Sequence, residues 1–198
     1  QDKRVKIIVN ARNFGIVRSG YYGLLQAKGD AIISIAADLQ DPPNLITKFL
    51  EKWENGNKIV VGIKNKSDES LLMFNIRKFY YRLINKLSNT ELIENFTGFG
   101  LYDKELIEIL RNIDDPYPYL RGMIAELGFN PVKIVYKQPQ RIADYTKSNF
   151  YSLYDLAMLG ITNFSKIPLR LATFLGFSIS LISLLTGLGY FIYKLIFW

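Results

Sequence analysis

The chain has 198 residues, enough for one sizeable domain and an appendage, and a net charge of +7 that favours an anionic partner such as a phosphorylated substrate, acidic lipid or nucleic acid. It has no cysteine, which excludes disulfides and thiolate metal sites, and no histidine, which removes the commonest general base and zinc ligand. Catalysis would fall to carboxylates, amides, hydroxyls, Lys, Arg or a bound cation.

In chain order, Val5-Lys6-Ile7-Ile8-Val9 reads as a strand inside a running βαβ series, and with Gln1 at the start it suggests that the beginning of a larger protein is missing. Arg12-Asn13-Phe14-Gly15 is a turn, 16–28 a helix stopped at Gly29-Asp30, and 31–37 a strand. The apolar run Ala31-Ile32-Ile33-Ser34-Ile35, bounded by Gly29-Asp30 and two prolines, has the pattern of a buried strand in a parallel sheet. Asp38, Gln40 and Asp41 of the following Ala36-Ala37-Asp38-Leu39-Gln40-Asp41-Pro42-Pro43 then fall at its carboxyl end, where open α/β sheets bind ligands. Oxygen donors there suit a hard divalent cation and a phosphate-bearing substrate. The plainer reading is a polar turn closed by prolines, with Asp41 as the N-cap of the next helix.

Ile46, Phe49, Leu50 and Trp53 recur at helical spacing after the prolines, Asn55-Gly56-Asn57 ends that helix, and 58–62 is a short strand. Residues 64–70 are a polar loop. A helix over 71–87 presents Arg77, Lys78 and Arg82, either as a solvated face or toward anionic headgroups. Residues 96–102 read as a strand, with Gly98 and Gly100 marking a close approach to the backbone. Helices follow at 104–112 and 119–127, with Asp103 placed to begin the first, then a strand at 132–137 and a basic loop over 137–149. Residues 150–165 are aromatic and amphipathic, suited to the headgroup plane or to an ordinary surface helix. No charge occurs from Leu171 to Tyr193. A helix of that length covers about 34 Å, enough to cross a bilayer's hydrocarbon core. Lys166, Arg170 and Lys194 flank it, and Tyr190, Tyr193 and Trp198 suit an interface.

The order Arg12-Asn13-Phe14-Gly15, Gly29-Asp30, Ala37-Asp38-Leu39-Gln40-Asp41-Pro42-Pro43, Phe79-Tyr80-Tyr81-Arg82-Leu83, Tyr119-Leu120-Arg121-Gly122 and Arg141 to Lys147, ahead of a membrane span, resembles the family 2 glycosyltransferases that act on polyisoprenyl phosphates. The resemblance covers nearly the whole chain, and Asp-Leu-Gln-Asp-Pro-Pro is its most specific signal. It implies an α/β fold: an incomplete, Rossmann-like A-type glycosyltransferase domain over 1–148, an interfacial helix over 149–167 and a transmembrane helix over 168–198. It implies a nucleotide-sugar donor, a polyisoprenyl (undecaprenyl) phosphate acceptor, a role in cell-envelope glycan synthesis, a membrane-bound catalytic domain on the cytoplasmic side, and a possible homo-oligomer. Mg²⁺ or Mn²⁺ would be held by Asp38 and Gln40, with Asp38 and Asp41 catalytic and Arg121, Arg141 and Lys147 binding substrate phosphate.

The chain departs from the family pattern in several places. The nucleotide-holding motifs of the family's N-terminal third are absent, and Ala36 stands at the first position of the usual Asp-x-Asp-x-Gln. Gly98-Phe99-Gly100-Leu101 replaces an Asp-Phe-Arg-Leu segment, and Asp144 replaces the glycine of the Arg-x-x-Gly-x-Ser-Lys loop. The chemistry tolerates the missing base. A phosphate monoester with a second pKa of about 6 is already an anionic nucleophile near neutral pH. Three rivals remain at this point: a processive polysaccharide synthase, whose Gln-x-x-Arg-Trp motif is lacking; a non-catalytic membrane partner; and a nucleic-acid binder, for which no motif is present.

Overall fold

The computed structural model describes residues 2–65, 92–139 and 150–197. The expected loop end at 66–70, the helix over 71–87 with Arg77, Lys78 and Arg82, and the loop bearing Arg141 and Lys147 lie outside the described residues. Helix α1 spans Gly15–Gln26, strand β1 Ala31–Ser34, α2 Leu45–Glu54 and β2 Ile59–Asn65. Strand β3 spans Phe96–Asp103, α3 Lys104–Arg111, α4 Leu120–Glu126 and β4 Val132–Lys137. Helices α5 (Phe150–Phe164) and α6 (Ile167–Phe197) complete the described elements.

The sheet runs in the order β1-β3-β2-β4. β3 is antiparallel to both neighbours, pairing Ala31 with Asp103 and Ile59 with Tyr102, whereas β2 and β4 are parallel. β1, β2 and β4 therefore share one direction, and β3 brings its first residues to their carboxyl ends. This corrects the expectation of a purely parallel environment for β1. β1 also stops at Ser34, because Ile35 to Ala37 turn out of the ladder and are exposed. A second correction concerns residues 5–9, which form no strand; Val5, Ile7, Ile8 and Val9 are exposed. Their apolar pattern has no described strand edge to satisfy it.

Alternation along β3 divides the core into two layers. Phe96 and Tyr102 face α1, α3 and α4, packing with Tyr21, Leu24, Leu106 and Ile124. Phe99 and Leu101 face α2, packing with Leu45, Phe49, Val60 and Tyr136. The Phe49 and Phe99 rings meet at 4.8 Å, and burying one such side chain contributes about 1.5–3 kcal/mol. β3 can approach β2 this closely because residue 100 is glycine: a Cβ there would lie 2.7 Å from the Val60 carbonyl oxygen.

The caps explain where the helices begin and end. Asp103 accepts a hydrogen bond from the Glu105 amide at 2.9 Å and so N-caps α3, as its place in the sequence suggests. Arg111, in the last turn of α3, donates from Nε to Leu25 O and from Nη2 to Ala27 O, closing the carboxyl end of α1. The Tyr21 hydroxyl donates to Leu110 O at 3.0 Å and ties the same pair of helices at depth. Helix α6 is 31 residues long, and its most apolar 18-residue stretch has a mean hydropathy of 1.9 and is 0% buried. It is a candidate membrane span by length and composition, and none of the described residues covers it.

Candidate active site

The carboxyl ends of the three co-directional strands gather the loop after β1, the first residues of β3, the end of β4 and the start of α4. In the loop, Asp38 Oδ1 accepts a hydrogen bond from the Gln40 amide at 3.2 Å. Leu39 between them has φ of +57°, a left-handed conformation uncommon for a residue with a side chain. Such a turn persists only where its surroundings determine it. Here the determining group is Asp41, which is 5% exposed. Its Oδ2 accepts from the Ala36 amide at 3.2 Å and its Oδ1 from the Tyr136 hydroxyl at 2.7 Å. Asp41 thus closes the loop on itself and anchors it to β4. It is not the N-cap of α2, a position held by Asn44.

Nothing in the motifs of the sequence points to Tyr136. Its signal is the inward alternation Val132, Ile134, Tyr136 in β4, which places a phenol in an apolar layer where its hydroxyl needs a partner. The ring packs edge-on against Phe99 at 5.6 Å. Gly62 makes room for both: a Cβ there would lie 2.8 Å from Phe99 Cδ1 and 3.0 Å from Tyr136 Cε1. Burial, and then the hydrogen bond to Asp41, push the Tyr136 hydroxyl well above its ordinary pKa, so it remains a donor throughout the working range.

Asp41 also borders a cavity of about 290 Å³ with Ala36, Thr97, Gly98 and Arg121. Val17 and Tyr21 of α1 contribute an apolar wall. Arg121 stands at the first turn of α4, its Nη2 donating to Thr97 O at 3.5 Å, with the guanidinium carbon 5.9 Å from the Tyr119 ring. Gly98 has φ of +102° with open space where a Cβ would stand. The structure therefore brings Asp41 and Arg121 to one cavity and holds Asp38 and Gln40 on the loop that forms part of its rim.

No group of three or more carboxylates that could enclose a metal occurs among the described residues. Asp38 and Gln40 can supply one carboxylate and one amide oxygen. That small donor set fits an Mg²⁺-type ion, which takes one or two carboxylates and completes its shell from substrate phosphates and water.

Residues 1–110 match the family described as Glycosyl transferase family 2. The chain is 34% identical over 187 residues to a bactoprenol glucosyl transferase of Shigella phage SfV, covering 94% of this chain and 61% of that protein. It is 34% identical over 177 residues to a prophage bactoprenol glucosyl transferase homolog of Escherichia coli K12, covering 89% and 58%. With an uncharacterized glycosyltransferase of Bacillus subtilis the identity is 34% over 180 residues, covering 90% and 56%. The chain thus spans less than two thirds of the length of these relatives. The family match over more than half of the chain, carried by a mixed α/β domain with its acidic loop at the carboxyl ends of the strands, shows that the chain belongs to glycosyl transferase family 2.

Proposed function

We propose that the protein of which this chain is part is a membrane-bound glycosyltransferase that moves a sugar from a nucleotide-diphosphate sugar to a polyprenyl phosphate, with its α/β domain on the cytoplasmic side of the cell membrane. One observation carries the reading: the similarity to bactoprenol glucosyl transferases covers 94% of the chain, taking in both the Asp38–Asp41 loop and most of the apolar helix α6. A non-catalytic partner role is not favoured, since relatives across phage and bacteria carry glycosyltransferase names.

In the reaction, an oxygen of the acceptor phosphate attacks the anomeric carbon of the sugar. A carbon–oxygen bond to that phosphate forms as the bond to the diphosphate breaks. The electron pair leaves with the nucleoside diphosphate. No proton has to move when the acceptor is already dianionic. Mg²⁺ or Mn²⁺, when bound, would offset charge on the departing diphosphate. Asp38 and Gln40 would hold it, and the Asp41–Tyr136 hydrogen bond would keep their loop in its left-handed turn. Arg121 supplies a cation at the cavity rim suited to a phosphate. Arg141 and Lys147 are proposed to add charge for the acceptor.

Membranes containing the complete protein, supplied with undecaprenyl phosphate and a panel of labelled sugar nucleotides, should yield a lipid-linked sugar. Asp38→Ala should lower that transfer by more than about 100-fold, since loss of a group that merely supports a metal ligand already costs about 10–100-fold. Turnover retained in the variant removes Asp38 from the site, and no lipid product with any donor overturns the reading.

A further inference from the structure

The geometry points to a binding site for the phosphate head of the lipid acceptor at Arg12 and Arg18, beside the entry to the membrane helix; this rests on the proposed sugar transfer to a lipid phosphate. The turn before α1 is shaped by Asn13, whose Oδ1 accepts from the Gly15 amide at 2.9 Å, with Gly15 at φ of +80°. It displays Arg12 and Phe14 together. The Arg12 guanidinium lies 4.8 Å from the Phe14 ring centre, and that of Arg18 lies 5.8 Å from the same ring and 5.0 Å from Tyr117. No carboxylate pairs with either arginine in the described protein. Stacking on a ring face leaves the N–H edge of a guanidinium free, and that edge matches a phosphate bidentately.

The position identifies the phosphate. The Tyr117 carbonyl accepts from Asn163 Nδ2 at 3.3 Å, and Asn163 is in the last turn of α5, four residues before α6 begins at Ile167. The cluster is therefore tied, through Tyr117, to the segment that leads into the candidate span. It also adjoins the active-site cavity along two strands of chain. Val17 lines the cavity next to Arg18, and Tyr119 lines it two residues after Tyr117. Ile16 and Tyr117 are 89% and 58% exposed beside the cations. A charged head and an apolar tail thus both find partners here, which suits a lipid monophosphate better than a free nucleotide.

The test uses the complete protein in nanodiscs, with farnesyl phosphate as the acceptor probe and the donor that supports transfer. Arg18→Gln should raise the acceptor KM and the farnesyl phosphate Kd by roughly 10-fold or more, the effect of losing a charge-assisted hydrogen bond, with kcat and the donor KM within about twofold. Arg18→Lys should recover part of the loss. If Arg18→Gln fails to fold, as read from its melting temperature, Arg12→Gln, on an exposed turn, replaces it. Unchanged acceptor binding overturns the inference, as does a rise in donor KM instead. An effect seen in phosphatidylglycerol discs and absent in pure phosphatidylcholine overturns it too, by assigning the cluster to bulk headgroups. Farnesyl phosphate binding that depends on Arg18 without any sugar transfer keeps the site and removes the reaction. Transfer that is indifferent to Arg18 does the reverse.

Discussion

Asp41 and Asp103 sit at opposite ends of one sheet and use the same device. Each accepts from an aromatic donor, the Tyr136 hydroxyl at 2.7 Å or the Trp53 indole Nε1 at 2.8 Å. Each also accepts from a backbone amide, of Ala36 or of Glu105. The backbone around them differs. Asp103 begins a regular helix. Asp41 closes a loop containing Leu39 at φ of +57° and lines the same cavity as Gly98, at φ of +102°. Both border cavities of similar size, about 290 Å³ and 270 Å³, but only the first combines an apolar helix wall with an arginine at its rim. A carboxylate held by an aromatic donor and a backbone amide therefore does not mark a site by itself. What marks it is a carboxylate spent on holding a strained loop at the ligand-binding end of the strands.

The harshest way to disturb this pairing is Gly100→Ala, which strikes the strand joining the two ends. The new Cβ would stand 2.7 Å from a backbone oxygen that cannot rotate away. Stability should fall by about 1–3 kcal/mol, as for overpacking, with both ends affected; a melting curve matching the parent's would show that β2 and β3 separate freely.

Tyr136→Phe should separate the ends. It leaves the buried Asp41 short of one donor, at a cost of about 1–3 kcal/mol. Transfer should fall beyond what the melting temperature explains, because the Asp38–Gln40 loop loses its anchor. Equal loss from Trp53→Phe would abolish the distinction. That substitution, at a half-buried site, should cost only about 0.5–1.5 kcal/mol and leave the KM for donor and acceptor unchanged.

The smallest effect is a pH dependence. Burial alone would raise the Asp103 carboxyl, but the Trp53 indole, the Glu105 amide and Lys58 outweigh it and hold its pKa below the ordinary value. A depressed native pKa adds stability that is complete above the unfolded value of about 3.9 and is lost as pH falls through the native one. Asp103→Asn should flatten the acid limb of a denaturation series below pH 4 relative to the parent; a steeper limb would reverse the sign.

Much of this architecture is legible in the sequence, because it is written in local patterns. Asp103 announces its cap through the Asp-Lys-Glu that follows the strand, and β4 falls at 132–137 as its alternation indicates. The apolar helix is longer than its uncharged stretch because Lys166 and Arg170 border its first turn and Lys194 fits its last. The failures are non-local. The pairing of β1 with β3 joins residues 31 and 103, and no periodicity in either strand reports the direction of a partner 72 residues away. For the same reason Val5 to Val9 has the composition of a strand but not its structure. Asp41 stands in a specific motif, yet its partner Tyr136 lies 95 residues on, where the sequence shows only one more inward aromatic.

The strand order also sets a timetable for synthesis. The sheet needs Asp103 before β1 and β2 have a common neighbour, and Lys137 before its far edge is laid down. Thirty residues then pass before Ile167 opens the apolar helix. At 5–20 residues per second that interval is about 1.5–6 s, comparable with or longer than the milliseconds to seconds in which mixed sheets of this kind close. The enzyme-like half can be finished on the ribosome before the nascent chain presents anything for a bilayer to capture.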